Sequence, residues 1–421
     1  MAEVSTPVRS RAAAWAARAR RLAVNLSLAA VTIILMLVVL EGAIRWWGRS
    51  GPVLAVLDPV LGKRYVRNFT GRVYVAEAGR EIELRFNREG FRGPDRPYEK
   101  PRNVRRVAIV GDSMTVAVAT AEEKTMVVEL ERLMNRSHPL VEWEVMNFAV
   151  SSSSTGQELV LYREVVSRYQ PDVVVLAFFV GNDLADNCRR LTSGKRIYFE
   201  LADDGSLRQL PFHPSSRRVS AWLNRHSRLY TWWKEANDQV KARVRAAMGR
   251  TRAANQIFCT RETGDLAYAW ELTHRLIARF RDEVESRGSR FVVAVFPYGP
   301  QIYDDLWQEI PEQAGACAGE LDRHHPERRL GRICRAEGVP MVRMTDEFRA
   351  AARSRSACPE ERLFYLGGRE HWTDAGNQLA ARVLHRFLVA GDPERSGPAL
   401  VDQVLGDPGA GSPGHGTSML R

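Results

Sequence analysis

The apolar run at 172–180 (DVVVLAFFV) constrains the fold more than any other feature of the sequence. A strand with one solvated face alternates apolar and polar residues, whereas this run is apolar at every position after Asp172. Such a run is typical of a central strand in a parallel sheet, which helices cover on both faces. The sequence therefore predicts a sheet that lies between two layers of helices.

Shorter apolar stretches and helical patterns alternate with this run along most of the chain. We predict further strands at 107–110, 143–150, 291–296 and 339–342, and helices at 126–135, 157–168, 266–286 and 378–389. Regular alternation of strand, turn and helix indicates an α/β protein. The expected architecture is a three-layer α/β/α sandwich around a central parallel sheet.

The N-terminal region contains an uncharged run at 22–40, LAVNLSLAAVTIILMLVVL. As a helix with a rise of about 1.5 Å per residue, this run can cross a hydrocarbon layer about 30 Å thick. The arginines before it predict a cytoplasmic N-terminus by the positive-inside rule. A cleaved signal peptide is the alternative, but its apolar region is shorter and no small-residue cleavage site follows Leu40. We expect one transmembrane helix at 22–44.

Basic charge is concentrated in one segment. The formal net charge is +11, and the segment 217–252 holds ten Lys or Arg residues against two acidic ones. Because the excess is local, nucleic acid is not an expected partner. The aromatic residues Trp222, Tyr230, Trp232 and Trp233 interleave with these basic residues. We favour a helical lid that packs its aromatic residues on the core over contact with an anionic membrane surface.

The five cysteines form neither a CxxC pair nor a Cys/His cluster with zinc-like spacing. We therefore expect no metal site, and the sequence indicates no cofactor. If the domain lies outside the cytoplasm, one or two disulfides could form.

The composition and motifs divide the chain into five regions. They are a basic cytoplasmic N-terminus (1–21), the anchor (22–44), a strand-rich lead-in (45–103), an α/β domain (104–391) with a basic helical insertion at about 211–258, and a disordered tail (392–421). The lead-in carries no motif that indicates its function.

Polar motifs follow three of the predicted strands, and a fourth precedes the last helix. They are Gly111-Asp112-Ser113, the stretch 147–156, Gly181-Asn182-Asp183 and Glu370-His371-Trp372. In open parallel sheets, ligands bind outside the carboxyl ends of the strands. The motifs therefore predict a site at that edge.

The four blocks RRVAIVGDSMT, VMNFAVSSSSTGQE, PDVVVLAFFVGNDLADN and EHWTDAGNQLAA occur in this order along the chain. They resemble the SGNH (GDSL-like) hydrolase superfamily, in particular its bacterial membrane-anchored members, over roughly 87–389. The resemblance implies the SGNH hydrolase fold, which is a flavodoxin-like sandwich, and the chemistry of a serine ester hydrolase.

The resemblance also assigns roles to residues. Ser113 is the implied nucleophile and His371 its general base. The implied oxyanion donors are the backbone N–H groups of Ser113 and Ser152 and the side-chain amide of Asn182. Asp112 and Asp183 are expected to hold their turns through hydrogen bonds to the backbone.

Two features of the chain depart from the family pattern. The family usually has an aspartate two or three residues before the histidine, where this chain has Arg369 and Gly368. Glu370 is the predicted catalytic substitute, with Asp374 or a Ser-His dyad oriented by a backbone carbonyl as alternatives. Ala149 and Ser152 stand where the family has glycines, and a positive φ at Ser152 would strain a serine.

The expected function is that of a serine esterase anchored in the bacterial inner membrane, with its catalytic domain in the periplasm. Its expected reaction removes or transfers O-acetyl or other small acyl groups on a cell-surface glycan. The expected partners are the membrane, through the N-terminal helix, and an acylated glycan or lipid substrate. The alternatives are a lipid-ester hydrolase and a catalytically silent protein that binds or assembles glycans.

Overall fold

The structure is a computed structural model. It describes residues 8–47, 52, 54–192, 194–212, 222–223, 226–247, 253–262, 264–314, 317, 319–354, 362–365 and 371–390. The predicted tail at 392–421 lies outside the described residues. The chain forms two compact units, one within 55–214 and 251–421 and the other within 1–54 and 215–250.

The strands all belong to the larger unit. They are β1 (Ala55–Asp58), β2 (Gly62–Tyr65), β3 (Phe69–Val75), β4 (Arg80–Phe86), β5 (Val104–Gly111), β6 (Glu142–Ala149), β7 (Val173–Phe179), β8 (Phe199–Leu201), β9 (Leu207–Gln209), β10 (Arg290–Phe296) and β11 (Met341–Arg343).

The α-helices occur in both units. They are α1 (Val8–Trp47), α2 (Ser113–Val116), α3 (Met126–Ser137), α4 (Thr155–Glu164), α5 (Asp183–Asn187), α6 (Arg228–Ala247), α7 (Gly264–Glu285), α8 (Gly299–Ile302), α9 (Asp304–Trp307), α10 (Ile310–Ala314), α11 (His325–Ala336), α12 (Thr345–Ser354) and α13 (Asp374–Ala390). Short 3₁₀ turns lie at Glu122–Lys124, Val166–Tyr169 and Ala253–Phe258.

Five parallel strands form the central sheet, in the order β11-β10-β7-β5-β6. If the five strands are numbered 1 to 5 along the chain and read from the β6 edge, the order is 2-1-3-4-5, which is the order of flavodoxin-like sheets. β7 lies in the middle and is buried from Val174 to Phe179, as its apolar sequence predicts. The prediction of an α/β protein with a central parallel sheet is confirmed.

Helices cover both faces of this sheet. α3 packs on β6 and against α13, whereas α4 packs against α5 and α7. The chain moves outward from β5 to β6 and then back across β5 to β7, so right-handed crossovers place α3 and α4 on opposite faces. The sheet order changes direction at β5, and ligand crevices form beside such a strand.

The lead-in consists of two antiparallel hairpins, β1–β2 and β3–β4. In β4, Ile82, Leu84 and Phe86 are buried and alternate with exposed residues, which is the pattern of a strand with one face on a core. Both hairpins belong to the same compact unit as the central sheet.

A disulfide joins Cys259 to Cys317, near the two ends of the region that contains α7 and β10. Cys188 is buried, and Cys358 lies outside the described residues.

The smaller unit contains α1 and α6, which contact each other. The part of α1 from Trp15 to Trp46 is long and apolar enough to cross a membrane, with a mean hydropathy of 2.6. A signal sequence meets the same criterion. In the basic segment, the side chains of Trp222, Trp232 and Trp233 are 60%, 52% and 55% exposed. The packing of the basic segment on the core stays a prediction.

Candidate functional site

Three of the polar motifs lie at one edge of the central sheet. β5 ends at Gly111, β6 at Ala149 and β7 at Phe179, and β5 pairs with both of the others in parallel. The residues that follow these strands therefore share the carboxyl edge, beside the strand where the sheet order changes direction.

The turn after β5 presents Ser113. Asp112 caps α2, since its carboxylate accepts a hydrogen bond of 2.9 Å from the Met114 N–H. A Cβ at Gly111 would lie only 2.9 Å from the Cβ of Ala177, so the close approach of β5 to β7 requires glycine. Ser113 is half-buried and is the first residue of α2, where a helical N–H group has no acceptor within the helix.

Asn182 lies beside this turn. Its Nδ2 donates a hydrogen bond of 3.0 Å to Oδ2 of Asp112. An amide group has two N–H donors, so this bond orients the side chain and leaves a second donor for another acceptor. Asp183 accepts a hydrogen bond of 2.8 Å from the Phe179 N–H. Asp112 and Asp183 thus hold the two turns as predicted.

Ser152 adopts the left-handed conformation, with φ = 64°. Neighbouring hydrogen bonds hold this loop. The Ser151 carbonyl accepts a bond of 2.9 Å from Lys63 Nζ, and the hydroxyls of Ser151 and Tyr65 are hydrogen-bonded. Both partners come from β2, so a lead-in hairpin supports the conformation that strains Ser152.

His371 meets a carboxylate from the other lead-in hairpin. Its Nδ1 lies 2.7 Å from Oε2 of Glu77, and the two side chains are 26% and 20% exposed. Glu77 lies in the turn between β3 and β4, where Gly79 has φ = 62°. A carboxylate on Nδ1 of a histidine fixes the tautomer in which Nε2 accepts protons.

The other acids considered for this position are placed differently. Asp374 pairs with Arg80 at 3.1 Å and with Lys124 at 2.9 Å. Glu370 lies outside the described residues, as do Gly368 and Arg369. Among the described residues, Glu77 is the carboxylate at Nδ1 of His371.

The segment that carries His371 is docked on the chain that follows α2. The Tyr365 hydroxyl donates a hydrogen bond of 2.8 Å to the Ala119 carbonyl, and Asn377 Oδ1 accepts one of 3.1 Å from the Met126 N–H. The rings of Trp372 and Phe296 lie 4.6 Å apart at the end of β10. These contacts bring the histidine to the carboxyl edge of the sheet.

The site lies above buried acids. Complete burial raises the pKa of Asp112 to about 6, although the Met114 N–H, the Asn182 amide and the charge of His371 each lower it. Burial raises the pKa of Glu158 to about 8, and the negative charge of Asp112 is the second largest cause of this rise.

The hydrogen bonds of Ser153 are consistent with a protonated Glu158. The Ser153 hydroxyl lies 3.0 Å from the Gly111 carbonyl and 3.0 Å from Oε1 of Glu158. A hydroxyl has only one proton to donate. When Glu158 is protonated it donates to Ser153, whose own proton is then donated to Gly111, and both contacts of the Ser153 hydroxyl are hydrogen bonds.

Within the described residues, no three His, Cys, Asp or Glu side chains are grouped so that they could hold a metal ion.

The sequence contained no signal for Glu77, Lys63 or Tyr65. Glu77 is 294 positions from His371 and lies in an ordinary hairpin turn. Only the packing of the lead-in against the sheet brings these residues to the site.

No protein-family model and no curated protein match the chain. Among solved structures, the chain is similar to the acetyl xylan esterase AlAXEase, with 13% identity and a TM-score of 0.37 over 66% of this chain and 97% of that one. The chain is also similar to Axe2, an acetylxylan esterase from Geobacillus stearothermophilus, with 12% identity and a TM-score of 0.35 over 67% of this chain and 93% of that one. The comparison with TesA shows 10% identity and a TM-score of 0.35 over 68% of this chain and 99% of that one. At such values the likeness assigns neither activity nor substrate to this chain.

Proposed function

We propose that the larger unit is a serine ester hydrolase in which Ser113 is the nucleophile, His371 the general base and Glu77 the residue that orients the histidine. The observation that carries this proposal is the contact of 2.7 Å between Glu77 and Nδ1 of His371. It supplies the carboxylate that is missing from the sequence near His371. Glu77 takes the role that the sequence had indicated for Glu370.

The reaction follows from these roles. Oγ of Ser113 attacks the ester carbonyl as its proton passes to Nε2 of His371, and the imidazolium then protonates the leaving alcohol. The N–H groups of Ser113 and Ser152 and the second N–H of Asn182 stabilise the oxyanion. Water, or the hydroxyl of an acceptor, then attacks the acyl-enzyme and releases the acyl group.

The anchor and the substrate are part of the same proposal. The apolar part of α1 holds the protein in the bacterial inner membrane, with the N-terminus in the cytoplasm and the larger unit in the periplasm. The substrate is an O-acetyl or other small acyl ester on a cell-surface glycan. Support comes from the length and composition of α1 and from the four sequence blocks.

A fluorophosphonate probe tests the nucleophile, because it reacts with activated serines. We expect the full-length protein to be labelled, Ser113→Ala to lose labelling, and Ser286→Ala, at an exposed serine after α7, to retain it. Failure of the folded wild-type protein to label would contradict the proposal and favour a catalytically silent protein.

The substrate class is tested by product analysis. We expect release of acetate from O-acetylated glycan by the wild type and not by Ser113→Ala. Release of fatty acid from phospholipid vesicles instead, with the same dependence on Ser113, would identify a lipid-ester hydrolase.

A further inference from the structure

The carboxylate of Glu41 lies at the end of the apolar run of α1. It follows the uncharged run 22–40 directly, and its side chain is 22% exposed. An ionised group at the edge of a membrane span is costly unless it has partners. Glu41 has several, and most of them belong to one other element.

These partners are the first residues of α6 and the residue before them. Glu41 accepts hydrogen bonds of 2.8 Å from the Arg228 N–H, 3.0 Å from the Leu229 N–H and 2.8 Å from the Ser227 hydroxyl. The first N–H groups of a helix have no acceptor within the helix and carry partial positive charge. Glu41 therefore caps α6 from a different helix.

A second contact strengthens this junction. Arg45, one turn after Glu41 on α1, donates to Glu41 at 2.8 Å and to the His226 carbonyl at 2.7 Å. The start of α6 is thus held at the same level along α1 as the end of the apolar run.

The composition of α6 is typical of a helix that lies on a membrane surface. Trp232, Trp233 and Val240 are 52%, 55% and 57% exposed, and the nearby Trp46 of α1 is 91% exposed. Tryptophan prefers the headgroup region, where its ring is in an apolar layer and its N–H in a wet one. The helix sequence also carries Arg228, Lys234, Lys241, Arg243 and Arg245 against Glu235 and Asp238.

We propose that α6 is an interfacial helix that lies in the headgroup layer of an anionic membrane, joined to the anchor through Glu41. This inference rests on the proposed membrane anchor. Basic residues are attracted to anionic headgroups, and exposed tryptophans insert among them. α6 contacts α1, which ends at Trp47 and carries the exposed Trp46.

Quenching of tryptophan fluorescence by brominated lipids tests the position of α6. The full-length protein is placed in nanodiscs of brominated phosphatidylcholine with phosphatidylglycerol. We expect Trp232→Ser/Trp233→Ser to lose part of the quenchable fluorescence, whereas Trp143→Phe, in the larger unit, loses none. If the double variant is quenched to the same extent as the wild type, α6 does not lie in the membrane.

A separate variant reports on the anchor itself. We expect Trp46→Ser/Trp47→Ser also to lose quenchable fluorescence. If it does and Trp232→Ser/Trp233→Ser does not, the inference about α6 fails while the anchor stands. If neither variant loses quenching, the proposed anchor fails as well.

Two further experiments change the charge of the lipid and the contact that Glu41 makes with α6. Replacing phosphatidylglycerol by phosphatidylcholine, or introducing Lys241→Glu/Arg243→Glu, is expected to reduce the contribution of Trp232 and Trp233 but not that of Trp46 and Trp47. Glu41→Ala is expected to have the same selective effect. Insensitivity to lipid charge would overturn the anionic preference, and insensitivity to Glu41→Ala would overturn the junction.

Discussion

At the scale of single residues, the contact between Glu77 and His371 determines how the site can work. A histidine that acts as a base needs one ring nitrogen held by an acceptor so that the other is unprotonated. Glu77 meets this requirement from a hairpin turn, and Arg80 from the same hairpin pairs with Asp374 on the histidine segment. The histidine is therefore oriented by residues remote from it in sequence.

Glu77→Gln is expected to lower kcat for ester hydrolysis by up to about 10⁴-fold, because an amide at this position favours the wrong histidine tautomer. KM is expected to change little, since Glu77 acts through His371. Steady-state kinetics on a chromogenic acetyl ester measures both. Asp374→Asn is the control, because it removes a neighbouring carboxylate that does not contact Nδ1; equal losses of kcat in the two variants would contradict the role of Glu77.

Ser152→Gly is expected to raise the free energy of unfolding by about 0.5–1 kcal/mol. A non-glycine residue in the left-handed region costs about 1–2 kcal/mol, and the greater freedom of glycine in the unfolded chain offsets part of the gain. Urea denaturation measures the change. Ser154→Gly is the matched control, because Ser154 has φ = −117° and gains no relief of strain. Stabilisation by both substitutions, or by neither, would rule out backbone strain at Ser152.

At the scale of elements, the lead-in hairpins and the strand β5 have different tasks. The hairpins support the site, β2 through Lys63 and Tyr65 and the β3–β4 turn through Glu77. β5 leads into the turn with Ser113, the proposed nucleophile, and is fixed near its other end by Arg106. The side chain of Arg106 is fully buried, donates to Glu144 of β6 at 2.7 Å and donates to the carbonyls of Tyr98 and Tyr169.

Arg106→Ala is expected to lower the free energy of unfolding by about 3–5 kcal/mol. It removes a buried partner of Glu144, which keeps Arg96 at 3.0 Å, and it removes the donor to the carbonyls of Tyr98 and Tyr169. Arg105→Ala, at the adjacent position, is expected to cost less than about 1 kcal/mol, since the Arg105 side chain is 59% exposed in its pair with Asp172. Chemical denaturation of both variants tests the contrast. Similar losses would show that burial of the Arg106 pair does not govern the effect.

At the scale of the whole molecule, the buried acids beneath the site link stability to pH. The pKa of Glu158 is raised to about 8, mainly by burial, whereas a glutamate in an unfolded chain has a pKa of about 4.3. Between these values the folded protein retains a proton that the unfolded chain has released. The contribution of Glu158 therefore makes the free energy of unfolding fall as the pH rises through this range.

Glu158→Gln is expected to flatten this dependence, because glutamine keeps the hydrogen bond to Ser153 without a titrating proton. Relative to the wild type, the variant gains stability as the pH rises from about 4.3 to about 8. Denaturation curves across this range measure the gain. Glu164→Gln, at an exposed position on the same helix, is expected to run parallel to the wild type. Parallel curves for Glu158→Gln would contradict a protonated Glu158 in the folded state.

Much of the fold was predictable because its signals are local. The predicted strands and helices of the sandwich lie within four residues of the observed ones, since an apolar run or a helical period directly reflects which faces are buried. The sequence analysis did not predict α11 and α12, which are rich in charged residues, or the β8–β9 hairpin, whose strands have three residues each.

The sequence by itself determined the sheet, its central strand and the strand ends that carry Ser113, Ser152 and Asn182. Parallel strands place their carboxyl ends along one edge, so the parallel sheet that the alternation predicts is enough to gather these residues. Only the tertiary structure decided which carboxylate reaches His371. Glu77 comes from a hairpin whose own sequence specifies its strands and turn, and its position over the site depends on long-range packing that no local pattern records.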